Sequence, residues 1–282
     1  MNYSQLMVLL LIMLSGYSAV VKAEHGPKSA WQWLDHSAQG YQFEQLALHS
    51  EDKKRHYQLT VAKPEGGAPA EGYPVLYMLD GNTALAALND SFLSGLPNQK
   101  RPVIVMIGYE REAQEARAFD YTPATGATSA SYGGAEQFWH FLEHTVKPLV
   151  AHRVPLDKQQ QSLWGHSYGG LFVLYTLFHH PNSFQTYTAA DPSLWWEEGA
   201  LLKEVNRYYD LPQRPAGQLL IQHSASHRTG SVLPNDASRR LAEQLSQLSE
   251  LKVQYHDFFA HHHGSVRAAS IPAALRLAVG IQ

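Results

Sequence analysis

Gly165-His166-Ser167-Tyr168-Gly169 constrains this chain more than any other stretch, because it sets a serine between glycines at the junction of two unlike segments. Gln161 to Trp164, just before it, reads as a short strand, and Gly170 to Phe178, just after it, is continuously apolar and reads as a buried helix. A strand that turns sharply into a helix across G-x-S-x-G holds the serine in a strained conformation with its hydroxyl projecting above the sheet. Side chains at positions 165 and 169 are expected to collide with neighbouring backbone, which is why glycine stands at both. The motif occurs by chance in many chains; the strand-turn-helix context is what gives it weight here. Serine chemistry is the leading functional reading.

The flanking sequence extends this unit into a fold. Val75-Leu76-Tyr77-Met78-Leu79 and Val103-Ile104-Val105-Met106-Ile107 are continuous apolar runs bounded by turn residues, the pattern of central parallel strands buried on both faces. Tyr57 to Ala62 alternates and predicts an early antiparallel strand, while Tyr187 to Ala190, Leu219 to Gln222 and Val253 to Phe259 predict further strands. Helical patterns run over Ala135 to Val150, Tyr168 to His180, Glu197 to Tyr209, Asp236 to Leu248 and Ala268 to Val279. Strands alternating with helices predict an α/β fold with a mostly parallel, doubly wound sheet. Glu110 to Gly134 lacks periodicity and reads as a surface excursion above the sheet. At 282 residues and 44% hydrophobic content, one large domain is the simplest organisation.

The amino terminus reads differently. Met7 to Leu14 is an apolar run too short to span a bilayer, followed by small and polar residues and then Val21-Lys22-Ala23. This is the pattern of a secretory signal peptide cut after Ala23, leaving residues 24–282 as the mature domain; the first five residues carry no Lys or Arg, so an uncleaved anchor is the alternative. Without cysteine the chain forms no disulfide, no thiolate metal site and no lipoprotein anchor, and the periplasm is the expected compartment, with no stable membrane association. Loss of residues 1–23 moves the formal charge from −3 to −4, which offers none of the basic excess of a nucleic-acid binder.

A serine needs a base. In α/β hydrolases, the fold to which this motif and strand order point, the base is a histidine on a loop near the end of the chain. Here the loop after the last strand holds His261-His262-His263-Gly264-Ser265. His263 is the candidate, because Gly264 lets the backbone turn into the last helix with the imidazole over Ser167. His261 and His262 are expected to face solvent or support it. A zinc site is disfavoured, since three consecutive residues cannot all aim at one ion. The oxyanion hole is expected from the backbone N–H groups of Tyr168, after the nucleophile, and Asn82, in Asp80-Gly81-Asn82 after the strand that ends at Leu79. Asp80 is expected to brace its loop.

The acid is ambiguous. Its usual place, after the strand ending near Gln222, reads His223-Ser224-Ala225-Ser226-His227 and holds no carboxylate. Asp191 and Asp236 could each reach, but Asp236 reads more simply as a helix-start residue, and Asp191 could equally brace its own turn. A Ser167–His263 dyad is therefore the favoured expectation, with Asp191 or Asp236 completing a triad as the alternative.

Five segments, Tyr73 to Asn82, Asp120-Tyr121-Thr122-Pro123, Gly165 to Gly170, Pro192 to Trp196 and His263-Gly264-Ser265, resemble in the same order the esterase-D-like α/β hydrolases. They look most like the branch of periplasmic siderophore esterases that open the trilactone of enterobactin-type catecholates, over about Tyr41 to Leu277. The resemblance implies that Ser167 and His263 react, that an acid can be missing, that no cofactor or resident metal is needed, and that ring opening releases iron in the periplasm. Such a ligand is large, aromatic and anionic, so cations and flat surfaces are expected around Ser167. Arg117 is the candidate anion contact, with Arg111 and Arg228 behind it, unless Arg117 simply pairs with Asp120. Trp195 is the candidate wall, one of Trp195 and Trp196 being expected in the core. The 15 tyrosines are consistent with an aromatic ligand. A monomer acting on a small molecule is expected. A general carboxylesterase or feruloyl-type esterase, an acyltransferase, and a non-catalytic siderophore-binding protein on the same fold are the competing readings.

Overall fold

In the computed structural model the two central apolar runs lie side by side as the strands they predict, and the whole sheet grows outward from them. The structure describes residues 40–88, 92–93, 95–97, 100–110, 113–126, 131–226 and 231–281; the signal-peptide reading of residues 1–23 lies outside them, as do Arg111 and Arg228. The strands are β1 (Tyr41–His49), β2 (His56–Pro64), β3 (Tyr73–Leu79), β4 (Val103–Tyr109), β5 (Leu156–His166), β6 (Thr186–Ala190), β7 (Gly217–Ser224) and β8 (Leu251–Phe258). They form one sheet in the order β1-β2-β4-β3-β5-β6-β7-β8. β1 with β2 and β2 with β4 are antiparallel, and all other pairs are parallel. This is the α/β-hydrolase sheet expected from the sequence.

Every residue of β3 and β4 is buried, and alternate side chains serve two cores. Val75, Tyr77, Leu79, Val103, Val105 and Ile107 join one cluster, while Leu76, Met78, Ile104 and Met106 join the other. The period-two alternation of a strand thus explains why these runs are apolar throughout: helices cover both faces. The first face is covered chiefly by α5 (Tyr168–His179), ten of whose twelve residues are buried. The second is covered by α1 (Gly81–Ala87) and α8 (His263–Ala278), where Ala84, Ile271 and Leu275 meet Trp164 of β5. The indole of that Trp164 also donates to Ser270 Oγ at 3.1 Å, fixing α8 to the strand that ends in the serine turn.

Further helical elements among the described residues include α2 (Ala113–Tyr121), α3 (Ala135–Phe141), a π-helical segment Leu142–Val146, α4 (Lys147–Arg153), a 3₁₀ stretch Trp196–Glu204, α6 (Val205–Tyr209) and α7 (Ala237–Leu245). Three differences from the sequence reading bear on the site. The segment 110–134, expected to be an aperiodic excursion, contains α2, and Asp120, Tyr121 and Thr122 at its end are fully buried. Its buried face carries polar groups, so hydrophobic periodicity did not mark it. The last helix begins at His263 rather than Ala268, because His262 caps it: Gly264 N donates to His262 Nδ1 at 3.2 Å and His262 N donates to Ser265 Oγ at 3.1 Å. Histidine is an uncommon cap, so the usual start signals miss it. The stretch predicted helical from Glu197 is broken by left-handed backbone at Glu197, Glu198 and Gly199. Among the described residues, no helix is long and apolar enough to cross a membrane.

Candidate active site

β5 delivers Ser167 to the carboxyl edge of the sheet at φ 62°, ψ −118°, a conformation few non-glycine residues adopt. The strain is over-determined from both sides: Ser167 N donates to Ala190 O of β6 at 3.0 Å, and Leu171 N donates to Ser167 O at 3.0 Å. A Cβ at Gly165 would overlap the backbone of Gly169, so glycine is required there. The expectation for Gly169 needs correction, because a Cβ there would meet Leu79 at 3.5 Å and Asp80 at 3.6 Å, ordinary contact distances. The tight position beside it is Gly170, where a Cβ would come within 3.0 Å of Pro192.

His263, at the start of α8, reaches Ser167: its Nε2 lies 3.0 Å from Ser167 Oγ. Its Nδ1 lies 2.7 Å from Asp191 Oδ2. With Nδ1–H donated to a carboxylate, Nε2 keeps its lone pair toward the serine hydroxyl, as general-base chemistry requires. The favoured dyad is thereby corrected, since Asp191 supplies the carboxylate, from the end of β6 rather than of β7. Asp191 stands in left-handed backbone at φ 45° with its own N–H donated to Gln222 O at 2.7 Å, which turns its side chain toward the carboxyl end of β7. There it accepts from Ser224 Oγ at 2.7 Å and from Ser224 N at 3.1 Å. Burial pushes the Asp191 carboxyl up, but the hydrogen bonds from His263 and Ser224 outweigh it and leave the group below its ordinary range. Asp236 stays out of the site: it precedes α7 and pairs with Arg240 at 2.8 Å, in keeping with its helix-start reading.

The three adjacent imidazoles take three different partners. His261 Nδ1 lies 3.3 Å from Ser265 Oγ, His262 caps α8, and His263 joins Ser167 and Asp191. The sequence reading missed His166, whose buried ring donates Nε2–H to His263 O at 2.7 Å and lies 4.6 Å, centroid to centroid, from the His263 ring. Burial, reinforced by the nearby His263, lowers its pKa to about 3, so it stays neutral. Among the described residues, His166, Asp191 and His263 form the one group of three or more His, Asp or Glu side chains with potential metal-ligand atoms within 4.8 Å of one another. Their hydrogen bonds to one another and to Ser167 make the arrangement suited to moving a proton. Ser193 was also missed: its Oγ lies 3.1 Å from Ser167 Oγ and its N–H donates to Ser167 O at 3.0 Å.

A cavity of about 490 Å³ opens over this constellation, lined by Asn82, Arg117, His166, Ser167, His263 and Arg267 among others. Asn82 is the second residue of α1, so its amide is among the first-turn donors without a partner four residues back. Its side chain donates to Tyr109 O at 2.9 Å, which fixes the turn to β4. Tyr168 opens α5 directly after the serine, and its ring lies 5.8 Å from that of Trp195. Trp196, by contrast, is 4% exposed and belongs to the core. Arg117 differs most from expectation. It pairs neither with Asp120 nor freely with the cavity: Nε lies 2.5 Å from Asp80 Oδ1, and Nη2 lies 2.8 Å from Asp80 Oδ2 and 3.1 Å from His166 O. Asp120 instead takes Arg55 Nε at 3.0 Å and the hydroxyls of Tyr57 and Tyr109. Arg117 is thus a clamp between the Asp80–Asn82 turn and the serine turn, and Asp80 braces its loop through that clamp.

The Esterase family, described as "Putative esterase", matches residues 50–271. The ferri-bacillibactin esterase BesA of Bacillus subtilis (strain 168) is 33% identical over 254 residues, covering 82% of this chain and 88% of that protein. The apo-salmochelin esterase of Escherichia coli O6:H1 (strain CFT073) is 41% identical over 177 residues, 58% of this chain and 55% of that one. Solved structures of the enterobactin and salmochelin hydrolase IroE, one of them in complex with DFP, superpose with a TM-score of 0.75 at 33% identity, covering 88% of this chain and 98% of theirs.

Proposed function

The chain belongs to the esterase family, and we propose that within it the protein is a siderophore esterase that cleaves its substrate through Ser167. The observation that carries the reading is the unbroken line from Asp191 through His263 to Ser167, at 2.7 and 3.0 Å, in a chain related to esterases of bacillibactin and salmochelin. His263 takes the Ser167 proton as Oγ attacks the ester carbonyl, and Asp191 holds the imidazole in the tautomer that can accept it. The backbone N–H groups of Tyr168 and Asn82 stabilise the oxyanion. His263 then protonates the departing alkoxide, and afterwards activates the water that releases the acyl group from Ser167.

The substrate we propose is a catecholate trilactone of the enterobactin type, ferric or metal-free, bound by a monomer. Opening the lactone ring lowers its hold on iron, and the apolar run Met7 to Leu14 with the small residue Ala23 supports periplasmic release of that iron. Trp195, beside Tyr168, is the aromatic side we propose for the bound ligand. Incubation with ferric and apo trilactones, read by mass spectrometry, tests this: each ester cut adds one water to the ligand. Wild-type protein is expected to yield linear products and Ser167→Ala none. Turnover of simple acyl esters equal to that of trilactones would assign a general carboxylesterase instead.

A further inference from the structure

We propose that Arg267 is the anion subsite of the catalytic cavity and sets a preference for esters that carry a negatively charged oxygen group near the scissile bond. The inference rests on the serine-esterase reading of this cavity and adds to it the residue that selects for charge.

Two guanidinium groups line the cavity among the described residues, and their situations are opposite. Arg117 spends its donors on Asp80 and on His166 O, so its charge is already balanced. Arg267 is half-buried, and among the described residues its guanidinium has no hydrogen-bond or ion-pair partner. It follows His263 by four residues on α8, so the two side chains share a helix face one turn apart, and both border the cavity that holds Ser167.

The fold gains nothing from this charge. The first turn of α8 contains no acidic residue, and Arg267 stands near the helix end where the backbone dipole already presents positive charge. Its field also acts on buried His166, where it helps to hold that ring neutral. A planar donor fork that is unpaired, partly desolvated and in the same cavity as the reacting serine is suited to a carboxylate or catecholate oxygen pair. An electrostatic cost to the free protein is then recovered when the anionic substrate arrives.

The test uses two p-nitrophenyl esters of matched length, the hemiglutarate, which carries a carboxylate, and the neutral pentanoate. The readout is the ratio of kcat/KM for the acidic ester to that for the neutral one, in which any general loss of folded enzyme cancels. Wild type is expected to favour the acidic ester, and Arg267→Gln to lower the ratio about tenfold, the size of one charge-assisted hydrogen bond lost. Absence of that preference in wild type, or an unchanged ratio in Arg267→Gln, overturns the proposal. Hydrolysis of neither ester, together with no cleavage of the trilactones, would instead sink the esterase reading. Affinity for the acidic ester then decides by itself, measured by calorimetry on Ser167→Ala with and without Arg267→Gln. A tenfold weakening upholds the subsite, and equal affinities remove it.

Discussion

The Asp191 carboxylate lies 2.7 Å from Nδ1 of His263, seventy-two residues further along the chain, and turns the imidazole so that its other nitrogen faces Ser167. Asp191→Asn is therefore expected to lower kcat/KM by roughly 10³ to 10⁴, as loss of the correct tautomer does in serine hydrolases. Asp236→Asn, at a residue that pairs only with Arg240 on its own helix, is expected to stay within about twofold, since exposed pairs of this kind contribute little. Steady-state kinetics on both variants checks the assignment. A loss of only a few-fold in Asp191→Asn would return the site to a Ser167–His263 dyad.

His166 makes folding stability depend on pH. Its native pKa of about 3 lies below the ordinary histidine value near 6.5, so between those limits the unfolded chain binds a proton that the native protein does not. Its contribution is thus present above about pH 6.5 and is lost as pH falls toward 3. Urea unfolding at pH 7 and pH 4 is expected to show wild type losing a few kcal/mol more than His166→Gln between the two conditions. Equal losses would mean that this ring takes up a proton in the native state as readily as in the unfolded one. Asp191, held below its ordinary range, adds a decline in the same acidic direction in both proteins and cancels from the comparison.

Arg117 and Asp80 form a largely buried pair, and each half needs the other. Asp80→Asn leaves the guanidinium without its counter-charge and is expected to cost roughly 3–5 kcal/mol of stability. Activity should fall with it, because the side-chain pair with Arg117 anchors the turn whose backbone, through Asp80 O accepting from Thr83 N and Ala84 N, starts the helix that presents Asn82. Arg117→Lys keeps the charge but not the two-point fit, and it is not expected to restore the wild-type melting temperature. Thermal melts of the two variants, compared with wild type, measure both effects.

The glycines of the serine turn separate cleanly. Gly165→Ala drives a methyl into the backbone of Gly169 and is expected to cost at least about 2 kcal/mol and most of the activity. Gly169→Ala meets only ordinary contacts in the first turn of α5 and should stay within about 1 kcal/mol of wild type. Equivalent damage from both substitutions in chemical denaturation would contradict this account.

Local sequence determined the sheet and the meeting of Ser167 with His263. Unbroken apolar runs at Val75–Leu79 and Val103–Ile107 can be satisfied only between two layers, and G-x-S-x-G between a strand and an apolar helix commits Ser167 to the carboxyl edge. His263 was legible because an α/β-hydrolase base is expected after the last strand, and the segment there offers little besides histidine. What the sequence left open was settled by contacts between distant segments. Asp191, Ser193 and Ser224 look like ordinary turn residues; β6 and β7 bring them around Ser167 and His263, and no spacing rule encodes that convergence. Arg117 was read as a substrate contact because its partner Asp80 stands thirty-seven residues away, while Arg267 gave no sign of its isolation. A charge acquires its role from what faces it, and facing is a property of the folded chain: backbone periodicity is written along the sequence, whereas the balance of charge in a cavity is decided only when tertiary structure brings its walls together.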